Sequence, residues 1–199
     1  MVAHTEIAAR RRGGTEWRTP DAIAVSVLAR PLTLAATAAE VSWLAAGLAA
    51  AQTLSECLGS QPLCLWPDAV LDGANDNIDV AVTAASTLAP GRVEFAALTV
   101  RMGPVDQPDR RAALTLALLR HLRTWASGLD QPSLVVDAYR ARCATLDRAV
   151  ELSLLPSGII RGLAEDVDET GRLVLSSPTG LREQVDVATV SSVTLLPAT

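Results

Sequence analysis

Lysine is absent from this sequence of 199 residues, and all 17 basic residues are arginine. The chain therefore has no ammonium group on a flexible stem, and the planar guanidinium of arginine does not copy that group. The sequence is also rich in Ala and Val, a combination that GC-rich genomes tend to encode. Composition alone therefore gives the absence of lysine no functional meaning.

Histidine and cysteine are scarce, which argues against several kinds of catalytic and metal site. His4 and His121 are the only histidines. No serine lies in a G-x-S-x-G setting, so a hydrolytic triad has little support. Cys57, Cys64 and Cys143 have neither CxxC nor His-spaced partners. The sequence therefore predicts no metal site and no disulfide framework, and it favours buried free thiols.

Long apolar runs and an excess of positive charge are missing too. The longest uncharged run, residues 41–55, is shorter than the ~18 residues of a membrane span and favours a core helix. With 22 acidic and 17 basic residues the net charge is −5, so we expect neither nucleic acid nor a membrane as partner. The first residues carry an arginine cluster with no apolar stretch behind it. We therefore expect no export signal and a cytoplasmic location.

Apolar spacing divides the chain into two regions. In the first, the pattern predicts a strand, a long helix capped by Gly59, three strand-like runs and two more helices, over residues 22–31, 37–58, 63–66, 77–86, 93–103, 109–127 and 132–146. Beyond Asp147, short strands alternate with turns, which is typical of a small β-barrel. We place the boundary after residue 147.

Residues 8–17, AARRRGGTEW, are the first candidate for chemistry. Three arginines followed by two glycines could surround an anion such as a phosphate with guanidinium forks and backbone N–H groups. A basic, glycine-bearing segment near a terminus is also typical of a solvated, mobile stretch. Both interpretations stay open at this point.

The turn LWPDAV is the second candidate. Pro67 fixes the turn, Trp66 offers a flat face, and Asp68 is the only charge. In the alternative interpretation Trp66 packs into the core and Asp68 caps a neighbouring N–H group. Asp72, Asp76 and Asp79 follow, with a spacing that does not fit a calcium loop.

Together these segments resemble the biotin protein ligases. VAHTEIAARRRGGTEW is similar to that family's V-A-x-x-Q-T-A-G-R-G-R-x-x-R-x-W loop, and LWPDAVLDG to its K-W-P-N-D-V turn. YRARCATLDRAV and GLAEDVDETGRLVL look like the junction and the C-terminal barrel. The resemblance implies that the loop over biotin and its adenylate is formed by Glu6, Arg10, Arg11, Arg12, Gly13, Gly14 and Trp17, and that the turn is formed by Leu65, Trp66, Pro67 and Asp68.

The resemblance also implies an α+β fold. We expect a mixed, largely antiparallel sheet with helices on one side over residues 1–147, followed by a small β-barrel like Src-homology-3 domains over residues 148–199. The family's first β–α unit normally precedes the arginine loop, and this sequence begins just inside that loop's strand. We therefore expect a shortened catalytic-type domain.

Two lysines of the family have no counterpart here. Leu65 stands in place of the first, while Asp68 and Ala69 replace the Asn and Asp of the turn. The second would fall around residues 75–77. Losing one preorganised electrostatic group typically costs ~10²–10³ in rate, and losing two costs on the order of 10⁴ if the effects are independent.

The sequence therefore favours a pseudoenzyme, retained as a binding or structural module with biotin adenylation lost or much reduced. The alternative is an active ATP-dependent ligase that holds biotinyl-adenylate with Arg10 and Arg12 and requires ATP, Mg²⁺ and biotin. A truncated gene product without a retained role is a third hypothesis. The expected partners are a biotin carboxyl carrier domain and a second copy of the chain, which would pair along residues 93–103 as an apolar edge.

Overall fold

The structure is a computed structural model, and it describes residues 2–3, 16–17, 19, 21–71, 78–177 and 179–197. Its strands and helices follow in the order β1 (Val2–Ala3), β2 (Ile23–Ala29), α1 (Val41–Leu58), β3 (Leu63–Leu65), β4 (Ala69–Leu71), β5 (Asp79–Ala89), β6 (Arg92–Gly103), α2 (Pro108–Gly128), α3 (Pro132–Arg140), β7 (Arg148–Leu154), β8 (Ile159–Val167), β9 (Leu173–Ser176), β10 (Arg182–Val185) and β11 (Val190–Leu195). Short 3-10 turns lie at Ala36–Ala38 and Val187–Thr189.

The first sheet has the strand order β1-β2-β6-β5, and every pair in it is antiparallel. One face of this sheet packs against α1 and α2, through alternating strand residues such as Val25, Val82 and Val100. Strand β6 lies in the interior of the sheet, between β2 and β5. The prediction that residues 93–103 offer an edge for dimerisation is therefore wrong, because both edges of β6 are already paired.

Helix α1 confirms the predicted long helix. It begins at Val41 after the 3-10 turn and ends at Leu58. Gly59 takes φ +67° and donates its N–H to the carbonyl oxygen of Ser55 at 3.0 Å. This left-handed cap suits glycine, which has no Cβ to oppose a positive φ.

Helix α2 agrees with the prediction over 109–127, but α3 is shorter than predicted. It ends at Arg140, not near Leu146. The chain then forms a single parallel β-bridge, in which Cys143 is opposite Cys64 of β3. Cys64 donates its N–H to the carbonyl oxygen of Arg142 at 2.8 Å and accepts from the N–H of Ala144 at 2.7 Å. These two hydrogen bonds replace those of a continued helix.

The second sheet has five antiparallel strands in the order β10-β9-β8-β7-β11. All five strands lie beyond residue 147, where the sequence predicts short strands alternating with turns. The expected α+β fold, with a small β-rich unit after a sheet with helices, is confirmed.

Side chains just before α1 and at the end of α3 join the second sheet to the rest of the chain. The guanidinium of Arg140 donates to both carboxylate oxygens of Asp166, at 2.8 and 3.2 Å, and to the carbonyl oxygen of Val167 at 2.9 Å. Glu40 accepts a hydrogen bond from the N–H of Val187 at 3.0 Å. No helix in the described parts of the chain is long and apolar enough to cross a lipid bilayer.

Candidate functional site

The face of the first sheet that points away from the helices carries small and polar side chains. Strand register aligns them in rows across β2, β6 and β5. In one row Arg101 lies between Ala24 and Ala81, and in the next row Ser26, Thr99 and Thr83 lie side by side. We call this surface the open face.

Hydrogen bonds connect the polar groups of the open face. The hydroxyls of Ser26 and Thr99 are 2.8 Å apart and share a hydrogen bond. Arg101 donates from Nη1 to Oγ1 of Thr83 at 3.3 Å. These two rows thus present one guanidinium and a row of hydroxyls beside alanine side chains. Hydroxyl and guanidinium groups of this kind can orient a small polar or anionic ligand.

Trp17 closes one end of the open face. Its indole packs against Ala22 and Ala81 and is 6% exposed. The indole N–H donates to Oδ2 of Asp79 at 2.6 Å. Of the predicted loop residues Trp17 is the one that the structure describes, whereas Glu6, Arg10, Arg11, Arg12, Gly13 and Gly14 lie outside the described residues.

The predicted turn at residues 65–68 connects β3 and β4 as a hairpin. Trp66 is completely buried. Its backbone N–H donates to Oγ1 of Thr145 at 2.9 Å, and its indole N–H donates to the carbonyl oxygen of Gly171 at 3.0 Å. The interpretation in which Trp66 packs into the core is therefore confirmed, since the side chain joins the hairpin to the turn between β8 and β9.

The two predicted segments meet at the start of β5. The carbonyl oxygen of Asp68 accepts a hydrogen bond from the N–H of Val82 at 3.0 Å. The preceding residue, Ala81, contacts Trp17 on the open face. Leu65, where the resemblance puts a lysine, is partly buried next to Trp66. Asp72, Asp76 and the segment at residues 75–77 lie outside the described residues.

The thiols and the described histidine do not form a reactive centre. All three cysteines are free. Burial raises the pKa of Cys64 to about 12 and also raises the pKa of Cys143, so both groups stay protonated thiols at neutral pH. Nε2 of His121 lies 2.9 Å from Oε2 of Glu56, on the outside of the helices. Over the described stretches, no cluster of three or more His, Cys, Asp or Glu residues could hold a metal ion.

The sequence interpretation did not identify Ser26, Thr83, Thr99 and Arg101 as a group. Each of them alternates with a core residue along its strand, so periodicity assigns it to the outer face and no further. Their grouping depends on strand register, which brings together residues 73 positions apart for Ser26 and Thr99. No local pattern contains that register.

Comparisons with known proteins agree with this architecture. The family model described as Biotin protein ligase C terminal domain matches residues 145–192. The biotin protein ligase from Aquifex aeolicus, solved in complex with biotin and ATP, superimposes with a TM-score of 0.72 at 16% identity, covering 98% of this chain and 88% of that chain. The chain has the biotin protein ligase fold and carries that family's C-terminal domain. This confirms the predicted resemblance and identifies the second sheet as the expected barrel like Src-homology-3 domains.

Two other solved structures show the range of this fold. The biotin acetyl coenzyme A carboxylase synthetase from Helicobacter pylori, with bound biotinylated ATP, has a TM-score of 0.58 at 16% identity, covering 92% of this chain and 84% of that chain. A biotin protein ligase-like protein of unknown function from Silicibacter sp. TM1040 has a TM-score of 0.65 at 12% identity, covering 83% and 79%. No protein of curated function matches the chain in sequence.

Proposed function

We propose that this protein is a binding or structural module built on the biotin protein ligase fold, with biotin adenylation and transfer lost or much reduced. The turn at residues 65–68 carries the proposal. Leu65 stands there in place of a lysine, and the next residue, Trp66, is held by hydrogen bonds to Thr145 and Gly171. The turn joins the two sheets and offers no positive charge to a phosphate.

The charges of the open face support the same conclusion. Adenylation of a carboxylate expels pyrophosphate, so its transition state needs preorganised cations around the phosphates. Arg101 is the only cation in the two described rows, and the carboxylate of Asp79 lies on the same face beside Trp17. One guanidinium with neighbouring hydroxyls suits binding of a small polar ligand better than stabilisation of a departing pyrophosphate.

An active ligase is the second candidate, and the extent of the fold favours it. The Aquifex aeolicus ligase was solved with biotin and ATP, and this chain covers most of its length. In this alternative Arg10 and Arg12 hold biotinyl-adenylate, Mg²⁺ arrives with ATP, and a biotin carboxyl carrier domain accepts the biotin. For both candidates we propose a carrier domain and a second copy of the chain as partners, and a cytoplasmic location. We also propose that the chain divides into two domains, residues 1–147 and residues 148–199.

A labelling assay separates the two candidates. The purified chain is mixed with ATP, Mg²⁺, labelled biotin and an apo carrier domain, with the Aquifex aeolicus ligase as positive control. We expect no label on the carrier above background. Biotin label that the parent chain transfers to the carrier, and that the Arg12→Ala variant does not transfer, would overturn the proposal and establish the second candidate.

A binding measurement then distinguishes a ligand binder from a scaffold. Calorimetry with biotin and with a non-hydrolysable mimic of biotinyl-adenylate reports whether the open face takes either ligand. We expect weak or absent biotin binding, because the turn and residues 75–77 lack the two lysines that the resemblance places there. A micromolar dissociation constant for biotin, lost in Arg101→Ala, would contradict that expectation.

A further inference from the structure

Cys64 and Cys143 lie opposite each other on neighbouring segments of the chain, about 80 positions apart in sequence. They form the parallel β-bridge between β3 and the stretch that follows α3. Cys64 donates its N–H to the carbonyl oxygen of Arg142 at 2.8 Å, and its own carbonyl oxygen accepts from the N–H of Ala144 at 2.7 Å. These two hydrogen bonds flank Cys143 and fix its register against Cys64.

This register brings the two residues within reach of a disulfide bond. Paired strands lie about 4.7–4.9 Å apart, and a disulfide joins Cα atoms about 4.4–6.8 Å apart. Residues that are directly paired on neighbouring strands also project their side chains from the same face. Cys64 and Cys143 therefore meet the requirements of Cα separation and of side-chain direction.

Both thiols border the buried side chain of Tyr139. The position that a Cβ would take on Gly47 lies 3.3 Å from Cε2 of Tyr139 and 3.9 Å from Sγ of Cys64. Burial raises the pKa of Tyr139, and the charges that Cys143 and Cys64 would carry as thiolates raise it further. The two sulfur atoms therefore lie in one cluster next to α1.

The two thiols differ in exposure. Cys64 is completely buried, whereas Cys143 is partly exposed. Burial raises the pKa of Cys143, and hydrogen bonds from the backbone and the hydroxyl of Thr145 oppose this rise. Those bonds favour the thiolate, which is the form that oxidants attack. A small oxidant therefore reaches Cys143 first, and Cys64 is the neighbouring thiol that can react with the product.

We propose that Cys64 and Cys143 are an oxidation site, at which a peroxide converts the two thiols into a reversible disulfide. Hydrogen peroxide oxidises the thiol of Cys143 to a sulfenic acid and is itself reduced to water. The sulfur of Cys64 then attacks the sulfenic sulfur, the S–S bond forms, and the hydroxyl leaves with the Cys64 proton as a second water. A dithiol restores both thiols by exchange through a mixed disulfide. The proposal is independent of any activity towards biotin.

The disulfide ties the hairpin of β3 and β4 to the chain that enters the second sheet. It closes a loop of about 80 residues. Such a link removes conformational freedom from the unfolded chain, so the oxidised protein is more stable than the reduced one. Because both groups are protonated thiols at neutral pH, the oxidation is slow and needs an excess of peroxide.

The test uses the full chain with Cys57→Ser, which leaves Cys64 and Cys143 as its only thiols. The folded protein is incubated with hydrogen peroxide, the peroxide is removed with catalase, and the remaining thiols are alkylated in urea. We expect the intact mass to fall by two hydrogen atoms, with no alkylation and a cross-linked peptide that contains both cysteines. Dithiothreitol should restore both thiols.

Thermal unfolding then compares the oxidised and reduced forms. We expect the oxidised form to melt about 5 °C or more above the reduced form, and the difference to vanish after reduction. A disulfide that lowers the melting temperature would show that the native bridge does not hold the two thiols in reach, and it would overturn the proposal.

Single-thiol variants in the Cys57→Ser background separate the two steps. Cys64→Ala should accumulate a sulfenic acid on Cys143, which dimedone traps, because no second thiol can react with it. Cys143→Ala is the matched control and should stay unoxidised, since Cys64 is completely buried. If a variant loses its native circular dichroism, the peptide map of the Cys57→Ser chain decides alone.

Two further results would overturn the proposal. One is full alkylation of both thiols at a peroxide dose that oxidises free glutathione completely. The other is a sulfinic acid on Cys143 while Cys64 is still alkylated, because Cys64 would then have failed to react with the sulfenic acid.

Discussion

The indole N–H of Trp66 donates to the carbonyl oxygen of Gly171 at 3.0 Å, and this hydrogen bond spans 105 residues of sequence. It lies in a fully buried setting and joins the hairpin of β3 and β4 to the turn between β8 and β9. The tryptophan that the sequence suggested as a platform for a ligand is thus a structural contact between two sheets.

Replacing Trp66 by phenylalanine removes this hydrogen bond and keeps an aromatic ring. We expect Trp66→Phe to lower the free energy of unfolding by about 1–3 kcal/mol, because the Gly171 carbonyl loses its buried partner. Urea denaturation measures the change. Trp125→Phe is the control: its indole bonds to Gln52 at 2.9 Å at a partly exposed site, so it should cost less. Equal losses in the two variants would contradict the structural role of Trp66.

Gly171 adopts φ +93°, and a Cβ on it would lie 2.9 Å from the backbone of Glu40 and Val41. We expect Gly171→Ala to be destabilised both by the positive φ and by this collision with rigid backbone. Gly180→Ala is the matched control, since Gly180 has φ +81° and open space around it.

Thermal unfolding should place Gly171→Ala below Gly180→Ala in stability by about 1–3 kcal/mol. This difference isolates the close approach, because both variants share the strain of a positive φ. If Gly180→Ala is at least as destabilised, Gly171 does not need to be glycine for reasons of space.

Glu40 is partly buried between the start of α1 and the second sheet, and this partial burial raises its pKa above the usual value of 4.5. The N–H of Val187 and the nearby Arg172 oppose this shift, while Asp186 adds to it. The folded state therefore holds the proton more tightly than the unfolded state. Stability is full below pH 4.5 for this group and falls as the pH rises from 4.5 through the raised pKa.

Glu40→Gln should remove this fall, because the amide is neutral and can still accept from Val187. Unfolding free energies of the two proteins between pH 4 and pH 8 provide the comparison, and the variant should gain relative to the parent as the pH rises. Glu183→Gln, at an exposed position, should leave the profile unchanged. If the free energies of unfolding of Glu40→Gln and of the parent change with pH in parallel, Glu40 is not the group whose raised pKa lowers stability.

Trp17 and Asp79 provide a test of the open face. Asp79→Ala removes the acceptor of the indole N–H, and we expect the Nε1–H resonance of Trp17 to shift and its exchange with water to accelerate. The stability loss should be about 1 kcal/mol. Asp109→Ala, at an exposed position at the start of α2, should change neither the Trp17 resonance nor the free energy of unfolding. An unmoved Trp17 resonance in Asp79→Ala would mean that the bond does not hold the indole.

The sequence allowed prediction of the elements with strong local signals. Helix α1 has a regular apolar stripe and a glycine cap, and β2 has branched residues before a proline, so their periodicities identify them. The end of α3 could not be predicted, because Cys143 leaves the helix to pair with Cys64 about 80 positions away. The local pattern there continues to favour a helix.

The candidate site divides in the same way. The turn at residues 65–68 was recognisable from its Trp-Pro-Asp sequence, but whether Trp66 faces a ligand or the core depends on distant Gly171. The hydroxyls of Ser26, Thr83 and Thr99 carry no local motif at all. Their assembly follows from the pairing of three strands, which a single sequence does not encode in any short segment.

The bidentate contact of Arg140 with Asp166, together with the Glu40 and Trp66 contacts, has a consequence for expression of fragments. A recombinant fragment that stops after residue 147 lacks the partners of three side chains: the Trp66 indole, the Arg140 guanidinium and the Glu40 carboxyl. Such a fragment should aggregate or melt early. The intact protein should unfold in a single calorimetric peak, because the second sheet stabilises the rest of the chain and does not unfold independently of it.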